Sequence, residues 1–207
     1  MSSSRAHEAY GQHGGGTWVD RFGVWLSQSA IRKQLPPEGA LEVIELGCGY
    51  RAKLLVGLQD RVKRAVGVDF KVDPGLHALA SYTFLEGSIE ETLPKLAGQT
   101  FDVVMLISVL EHLSQPLAAL ECAHGLLKPG GVLLINVPTW RGKFFLEFSA
   151  FRLGLSPKVE MDDHKMYYDK RDLWPLLVRA GFLPSAIRLR YHKFGLNLFA
   201  AAHRQDA

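Results

Sequence analysis

Leu41-Glu42-Val43-Ile44-Glu45-Leu46-Gly47-Cys48-Gly49 is the stretch on which the fold turns. Six strand-like residues run into a pair of glycines, and a helical stretch follows directly. Glycines at such a turn let the backbone pass close to a ligand, while the helix N-terminus offers unpaired N–H groups to anionic or carboxylate groups. With Ala52 the segment also satisfies G-x-G-x-x-G/A, the dinucleotide fingerprint. A tight strand-to-helix turn with no ligand is the competing reading of this pattern alone.

Working outward, Arg64–Asp69, Ser81–Leu85, Phe101–Ile107 and Val132–Val137 also read as short strands. Helical stretches lie between them at about 51–59, 74–80, 90–97 and 116–127. Strand and helix alternating at this spacing predict an α/β fold, an open and mostly parallel sheet wound on both sides. The apolar runs at 103–107 and 132–135 scarcely alternate, as expected for strands covered on both faces.

Downstream, the stretch 139–168 carries Phe144, Phe145, Phe148 and Phe151 and turns polar at Asp162-Asp163-His164. A helix at about 170–180 and two strand-like segments, 185–191 and 196–202 around Gly195, close the chain. Upstream, a helical period places Trp18, Phe22, Trp25 and Leu26 on one face, where they need apolar cover, and Pro36-Pro37 and Gly39 stop it. Residues 1–35 are therefore expected to form an N-terminal flap or helical cap. Residues 36–207 then make one domain, with a substrate lid inserted at about 139–168.

Composition narrows the function classes. Of 207 residues, 47% are hydrophobic and 22% charged, the balance of a globular protein. A net charge of +3 is too mild for a nucleic-acid footprint. Two cysteines, Cys48 and Cys122, exclude a disulfide framework and fit a reducing compartment. The N-terminus has no apolar stretch of signal-peptide type, and no run approaches the roughly 18 apolar residues of a membrane span. A soluble, cytoplasmic protein is expected.

The second strand ends in Asp69, twenty residues past Gly49. An acid there sits beside the glycine turn and can accept hydrogen bonds from two ribose hydroxyls, which indicates an adenosine-type ligand. Glu45 would repel a pyrophosphate but suits a ligand carrying an ammonium or sulfonium. After the fourth strand comes Ile107-Ser108-Val109-Leu110-Glu111-His112-Leu113, and Leu126-Leu127-Lys128-Pro129-Gly130-Gly131 leads into the fifth.

These features in this order resemble the class I methyltransferases that use S-adenosylmethionine, especially the branch acting on small molecules. The resemblance covers about residues 41–202. It implies a Rossmann-like, doubly wound, mostly parallel seven-stranded sheet ending in an antiparallel hairpin, which the segments around Gly195 match. It implies that Gly47, Cys48 and Gly49 pass beneath the methionine part of the cofactor, with Glu45 near its amino group and Asp69 on the ribose hydroxyls. Ser88 and Ile89 would flank the adenine, where relatives usually carry an acid followed by an apolar residue; Ser88 departs from that pattern. Ser108 and Val109 would lie along the cofactor.

His112 and His164 are the candidate catalytic residues, each placed to assist loss of a hydroxyl proton. Each also has a structural reading, as a backbone-bonded helix-start histidine or a packing residue. Metal-ligand spacing is absent, with neither His-Glu-x-x-His nor paired Cys-x-x-Cys. Glycine-flanked His13 is similar to an esterase oxyanion loop, but no Gly-x-Ser-x-Gly elbow accompanies it. The motifs of adenine-N6 and cytosine-C5 enzymes are missing, so nucleic-acid bases are not the expected acceptor. The greasy 139–168 segment favours an aromatic or lipid-linked small molecule, methylated at a hydroxyl oxygen, and leaves peripheral membrane contact open. Two rival readings stand beside this one. A nicotinamide-dependent oxidoreductase would leave Glu45, the 110–112 segment and the terminal hairpin unexplained, and a catalytically silent cofactor-binding partner subunit would keep the binding residues alone.

Overall fold

Seven strands form one sheet in the order β3-β2-β1-β4-β5-β7-β6. They are β1 (Leu41–Leu46), β2 (Val62–Asp69), β3 (Tyr82–Glu86), β4 (Phe101–Ile107), β5 (Leu127–Pro138), β6 (Ile187–His192) and β7 (Asn197–His203). The computed structural model describes residues 18–37, 39–148 and 165–205. β1 pairs in parallel with β2 and β4, β2 with β3, and β4 with β5. β7 inserts between β5 and β6 and runs antiparallel to both. The expected terminal hairpin is thus present.

The strands alternate side chains between two apolar layers, which explains why their sequences look continuously hydrophobic. One face carries Ile44, Leu46, Val104, Leu106, Leu133 and Ile135 against Leu120 of α4 (Pro116–Gly125) and Leu173 and Leu177 of a helix at Lys170–Arg179, here α6. The other carries Val43, Ala65, Met105, Leu134 and Phe199 against Ala30 and Ile31 of α1 (Trp18–Arg32) and Leu55 of α2 (Lys53–Val56).

Several helices are shorter than their sequence period suggests, for local reasons. α2 is a single turn entered through left-handed Ala52, and Arg32 of α1 crosses its end, donating to the Gly57 carbonyl at 2.6 Å and pairing with Asp60 at 2.6 Å. α3 (Ile89–Thr92) tightens into a 3-10 turn at Leu93–Leu96, where Pro94 supplies no amide. The 139–168 segment opens as helix α5 (Trp140–Phe148) rather than as irregular chain; Phe151 and His164 lie outside the described residues.

α1 buries a different stripe from the one that carries Phe22 and Trp25. Its sheet-facing stripe is Ser27, Ala30 and Ile31, while Phe22 and Trp25 are 44% and 59% exposed and stack on each other at 5.7 Å. The helix meets the core through Ala30 and Ile31, and the two rings cover one another.

Candidate active site

The strand order reverses between β1 and β4, the switch point outside whose carboxyl ends ligands bind in open α/β sheets. The turn after β1 is locked from below, because the amides of Gly47 and Cys48 both donate to the Val68 carbonyl, at 2.7 and 3.0 Å. Gly47 has φ 80°, and a side chain there would run into Val109 of the β4 turn. Both the conformation and the close approach require glycine. Cys48 is buried with its thiol pushed up by burial and then by Glu45 and Asp69, so it is no nucleophile.

Asp69 ends β2 at this turn. Its Oδ2 accepts the Gly49 amide at 2.7 Å and its Oδ1 the Phe70 amide at 2.8 Å. Burial raises its carboxyl above the ordinary range, and the two amides oppose that rise. A carboxylate has about four lone-pair sites, so a pair of ribose hydroxyls can still be held.

Glu45, next to last on β1 between fully buried Ile44 and Leu46, is only 1% exposed. Burial pushes its carboxyl up to about 8, against an amide hydrogen bond from Leu55, and the nearby Asp69 adds to the rise. Its Oε2 has no hydrogen-bond partner among the described residues. A buried carboxyl with one bare oxygen fits a ligand ammonium and would be costly as packing alone. Glycine cradle, ribose acid and bare carboxyl together fit S-adenosylmethionine.

Ser88 caps α3. Its Oγ accepts the Glu91 amide and the Glu91 carboxylate accepts the Ser88 amide, both at 3.1 Å. Ile89 packs on the core beside it. The structure thus gives Ser88 a capping role at the rim where the adenine contact was expected.

Beyond β4, Ser108 is left-handed at φ 58° and its amide donates to the Asn136 carbonyl at 2.8 Å. That strained residue swings the chain into a 3-10 turn, Leu110–His112. Val109 and Glu111 are buried there, whereas His112 is exposed, with its amide donating to the Val109 carbonyl at 2.9 Å. Of the two candidate histidines, His112 therefore stands at the rim of the turn, and His164 falls outside the described residues.

Sequence reading assigned no role to four polar groups beside this turn, buried Glu111 and Asn136 and half-buried His192 and Lys193. One signal was available. Asn136 interrupts an otherwise apolar strand, Val132–Val137, with a residue that a core cannot satisfy by packing.

A 3-2-1-4-5-7-6 sheet with a reversed seventh strand, a glycine cradle after β1 and an acid at the tip of β2 define a class I S-adenosylmethionine-dependent methyltransferase. The chain belongs to the methyltransferase-domain family, which it matches over residues 18–184. Its methyl donor is accordingly S-adenosylmethionine. It is 31% identical over 156 residues to a ubiquinone biosynthesis O-methyltransferase of Dinoroseobacter shibae, covering 72% of this chain and 62% of that protein. It is 32% identical over 169 residues to a probable S-adenosylmethionine-dependent methyltransferase of Mycolicibacterium smegmatis, covering 78% and 60%. The chain thus spans less than two thirds of the length of either relative. Among solved structures it is similar to a chain of the complex between the Haloferax volcanii Trm112 methyltransferase activator and a methyltransferase. There the TM-score is 0.70 at 14% identity, over 91% of this chain and 93% of that one. A SAM-dependent methyltransferase from Archaeoglobus fulgidus gives a TM-score of 0.66 at 15% identity, over 91% and 100%. At such identities the likeness is one of fold.

Proposed function

We propose that this methyltransferase acts on a small molecule at a hydroxyl oxygen, and that the acceptor is aromatic or carries an apolar chain. The observation that carries the reading is the placement of a buried carboxyl, Glu111, on the turn beside the glycine cradle, where an acceptor proton can be taken up. The Dinoroseobacter relative, an O-methyltransferase by name, supports it. So do the exposed aromatic side chains of α1 and α5, namely Phe22, Trp25 and Phe144. Among the described residues no helix is long and apolar enough to cross a membrane.

In this reading Glu45 holds the donor's ammonium, Asp69 its ribose hydroxyls, and Gly47, Cys48 and Gly49 line its methionine part. Ser88 and Ile89 border the adenine, and Ser108 and Val109 lie along the remaining side. S-adenosylmethionine, when bound, supplies a methyl group activated on a sulfonium. The chain's own work is to align the acceptor oxygen with that methyl, to exclude water, and to receive a proton. α1 serves as a cap, and α5 begins the lid.

The test is transfer of labelled methyl from S-adenosylmethionine to a panel of phenols, aliphatic alcohols and amines, with the product identified by mass. Label on phenolic oxygen is the expected result; label on amines alone overturns it. Replacing His112 and His164, singly and together, reports whether either histidine assists. A loss of about 10²–10⁴ in turnover with intact donor affinity is the signature of a base.

A further inference from the structure

Four polar groups at the carboxyl end of the sheet take no part in holding the methyl donor. Asn136 on β5 is 1% exposed, and neither its Oδ1 nor its Nδ2 has a hydrogen-bond partner among the described residues. Strand register sets it between Ile107 of β4 and Phe199 of β7, on the face covered by α1. Glu111, on the turn that leaves β4, is also 1% exposed, and its Oε2 is likewise bare. His192 ends β6 with its ring edge-on to Phe199, centroids 5.9 Å apart, and its buried Nε2 has no partner among the described residues. Lys193 follows at φ 48° and is close enough to Glu111 for each to shift the other electrostatically. Its Nζ reaches α1, 3.9 Å from where a side chain on Gly23 would begin.

Buried polar atoms without partners are rare in folded proteins, and each needs a reason. Here they gather from three separate segments, β5, the turn after β4 and the β6–β7 turn. An apolar residue at position 136, like its neighbours, would pack this layer without loss. The shared explanation is a ligand that carries the missing hydrogen bonds.

We propose that Glu111, Lys193 and Asn136 form the pocket that receives the acceptor hydroxyl. The Glu111 carboxylate takes the proton from the O–H group, the Lys193 ammonium holds the resulting oxyanion, and the Asn136 amide orients an oxygen substituent beside it. The inference rests on the O-methylation reading above. In the proton step the acceptor's O–H bond breaks, a new O–H bond forms on Glu111, and the electron pair stays on the acceptor oxygen. Charge is conserved, from carboxylate, ammonium and neutral acceptor to carboxyl, ammonium and oxyanion.

Burial favours this chemistry. It pushes Glu111 up to about 8 while Lys193 pulls the other way, which makes the carboxylate a stronger base than an exposed one. Among the described residues Tyr168 also faces Glu111, and its hydroxyl donates to the Leu110 carbonyl at 3.4 Å. Burial and the neighbouring Glu111 and Asp172 raise Tyr168 to about 12, so it stays protonated throughout. A base near 8 is matched to a phenol or enol and not to an aliphatic alcohol.

The experiment reads a chromogenic probe on the full chain loaded with S-adenosylhomocysteine. 2-Naphthol is titrated at about pH 8.5, where Glu111 is largely ionised and a free phenol of pKa near 10 is still protonated, and the naphtholate band is followed. The expected result is an anionic bound probe on the wild-type chain, with at least tenfold weaker binding of that anion in Lys193→Met. Glu111→Gln is expected to lower turnover on phenols about 10²–10⁴-fold and to remove the acidic limb of the pH profile. Asn136→Leu is expected to raise KM more than it lowers kcat. S-adenosylmethionine affinity, measured by calorimetry, should stay within about twofold in all three, which also reports that they fold. Lys193→Gln repeats the test should the Met variant lose that affinity. Absence of the anionic band on the wild-type chain, or an equal band in the lysine variants, overturns the pocket. Undiminished phenol methylation in Glu111→Gln and Lys193→Met overturns it too and leaves O-methylation standing, whereas methyl transfer to amines alone removes the underlying reading.

Discussion

One oxygen of Asp69 accepts the Gly49 amide at 2.7 Å, joining the tip of β2 to the turn after β1. The residue proposed to meet the ribose therefore also fixes the loop proposed to run beneath the methionine. Asp69→Ala is expected to weaken S-adenosylmethionine binding by about 2–4 kcal/mol, from lost charge-assisted hydrogen bonds partly replaced by water. Asp69→Asn, which keeps an oxygen for Gly49, should lose less. Calorimetric titration of both variants checks this, and unchanged affinity in Asp69→Ala would remove the ribose assignment.

Gly47→Ala should abolish measurable donor binding. The new methyl group meets Val109, and the φ of 80° is strained for any side chain. Together these are expected to lower stability by about 1–3 kcal/mol. Adding Val109→Ala should recover part of the stability and not the backbone strain. Thermal melts of the two single variants and the double variant separate the contributions.

Donor binding should release a proton near neutral pH. Buried Glu45 titrates at about 8 in the free protein, so at pH 7 it is mostly protonated. An ammonium placed against its bare oxygen favours the ionised form and drives the proton off. Calorimetry in buffers of different ionisation enthalpy should report up to about one proton released in the wild-type chain and none in Glu45→Gln.

The free protein should lose stability as pH rises from about 5 to 8. Glu45 and Glu111 are both raised to about 8, above their unfolded range, so across this interval the folded state binds more protons than the unfolded one. Stability is then fully present below the unfolded carboxylate pKa and is lost as pH rises through the folded value. Midpoints of unfolding measured across this interval should fall in the wild-type chain and fall less in Glu111→Gln.

Amide exchange should show α1 closing on the donor. The helix spans from Lys193, beside Gly23, to Asp60, paired with Arg32, and so bridges the proposed acceptor pocket and the end of α2. Added S-adenosylmethionine is expected to slow exchange over residues 18–32. Equal rates with and without it would count against a cap.

The strands were legible in sequence because β-branched and leucine-rich runs bounded by glycines mark themselves, and Leu41–Leu46 and Phe101–Ile107 fall at their expected bounds. Helix lengths were less so. What ends α2 is a crossing arginine from a segment more than twenty residues away, and no local pattern carries that. The glycine turn and Asp69 announced themselves by spacing. Glu111, Asn136, His192 and Lys193 did not, since they become neighbours only when the sheet brings three distant segments to one end. The exposed Phe22–Trp25 pair is a related case. Helical periodicity shows that a face is apolar, but the opposing surface decides which face is buried.

β7 lies between β5 and β6, so the last of these seven strands fills an interior place in the sheet. During synthesis, Val132–Val137 waits with an unpaired apolar edge until residues 197–203 leave the ribosome. A nascent chain at that stage is open to pairing with its neighbours, and only the arrival of β7 closes that edge. Stop codons or proteolytic nicks that remove β7 should consequently yield sticky, chaperone-bound fragments instead of smaller working enzymes.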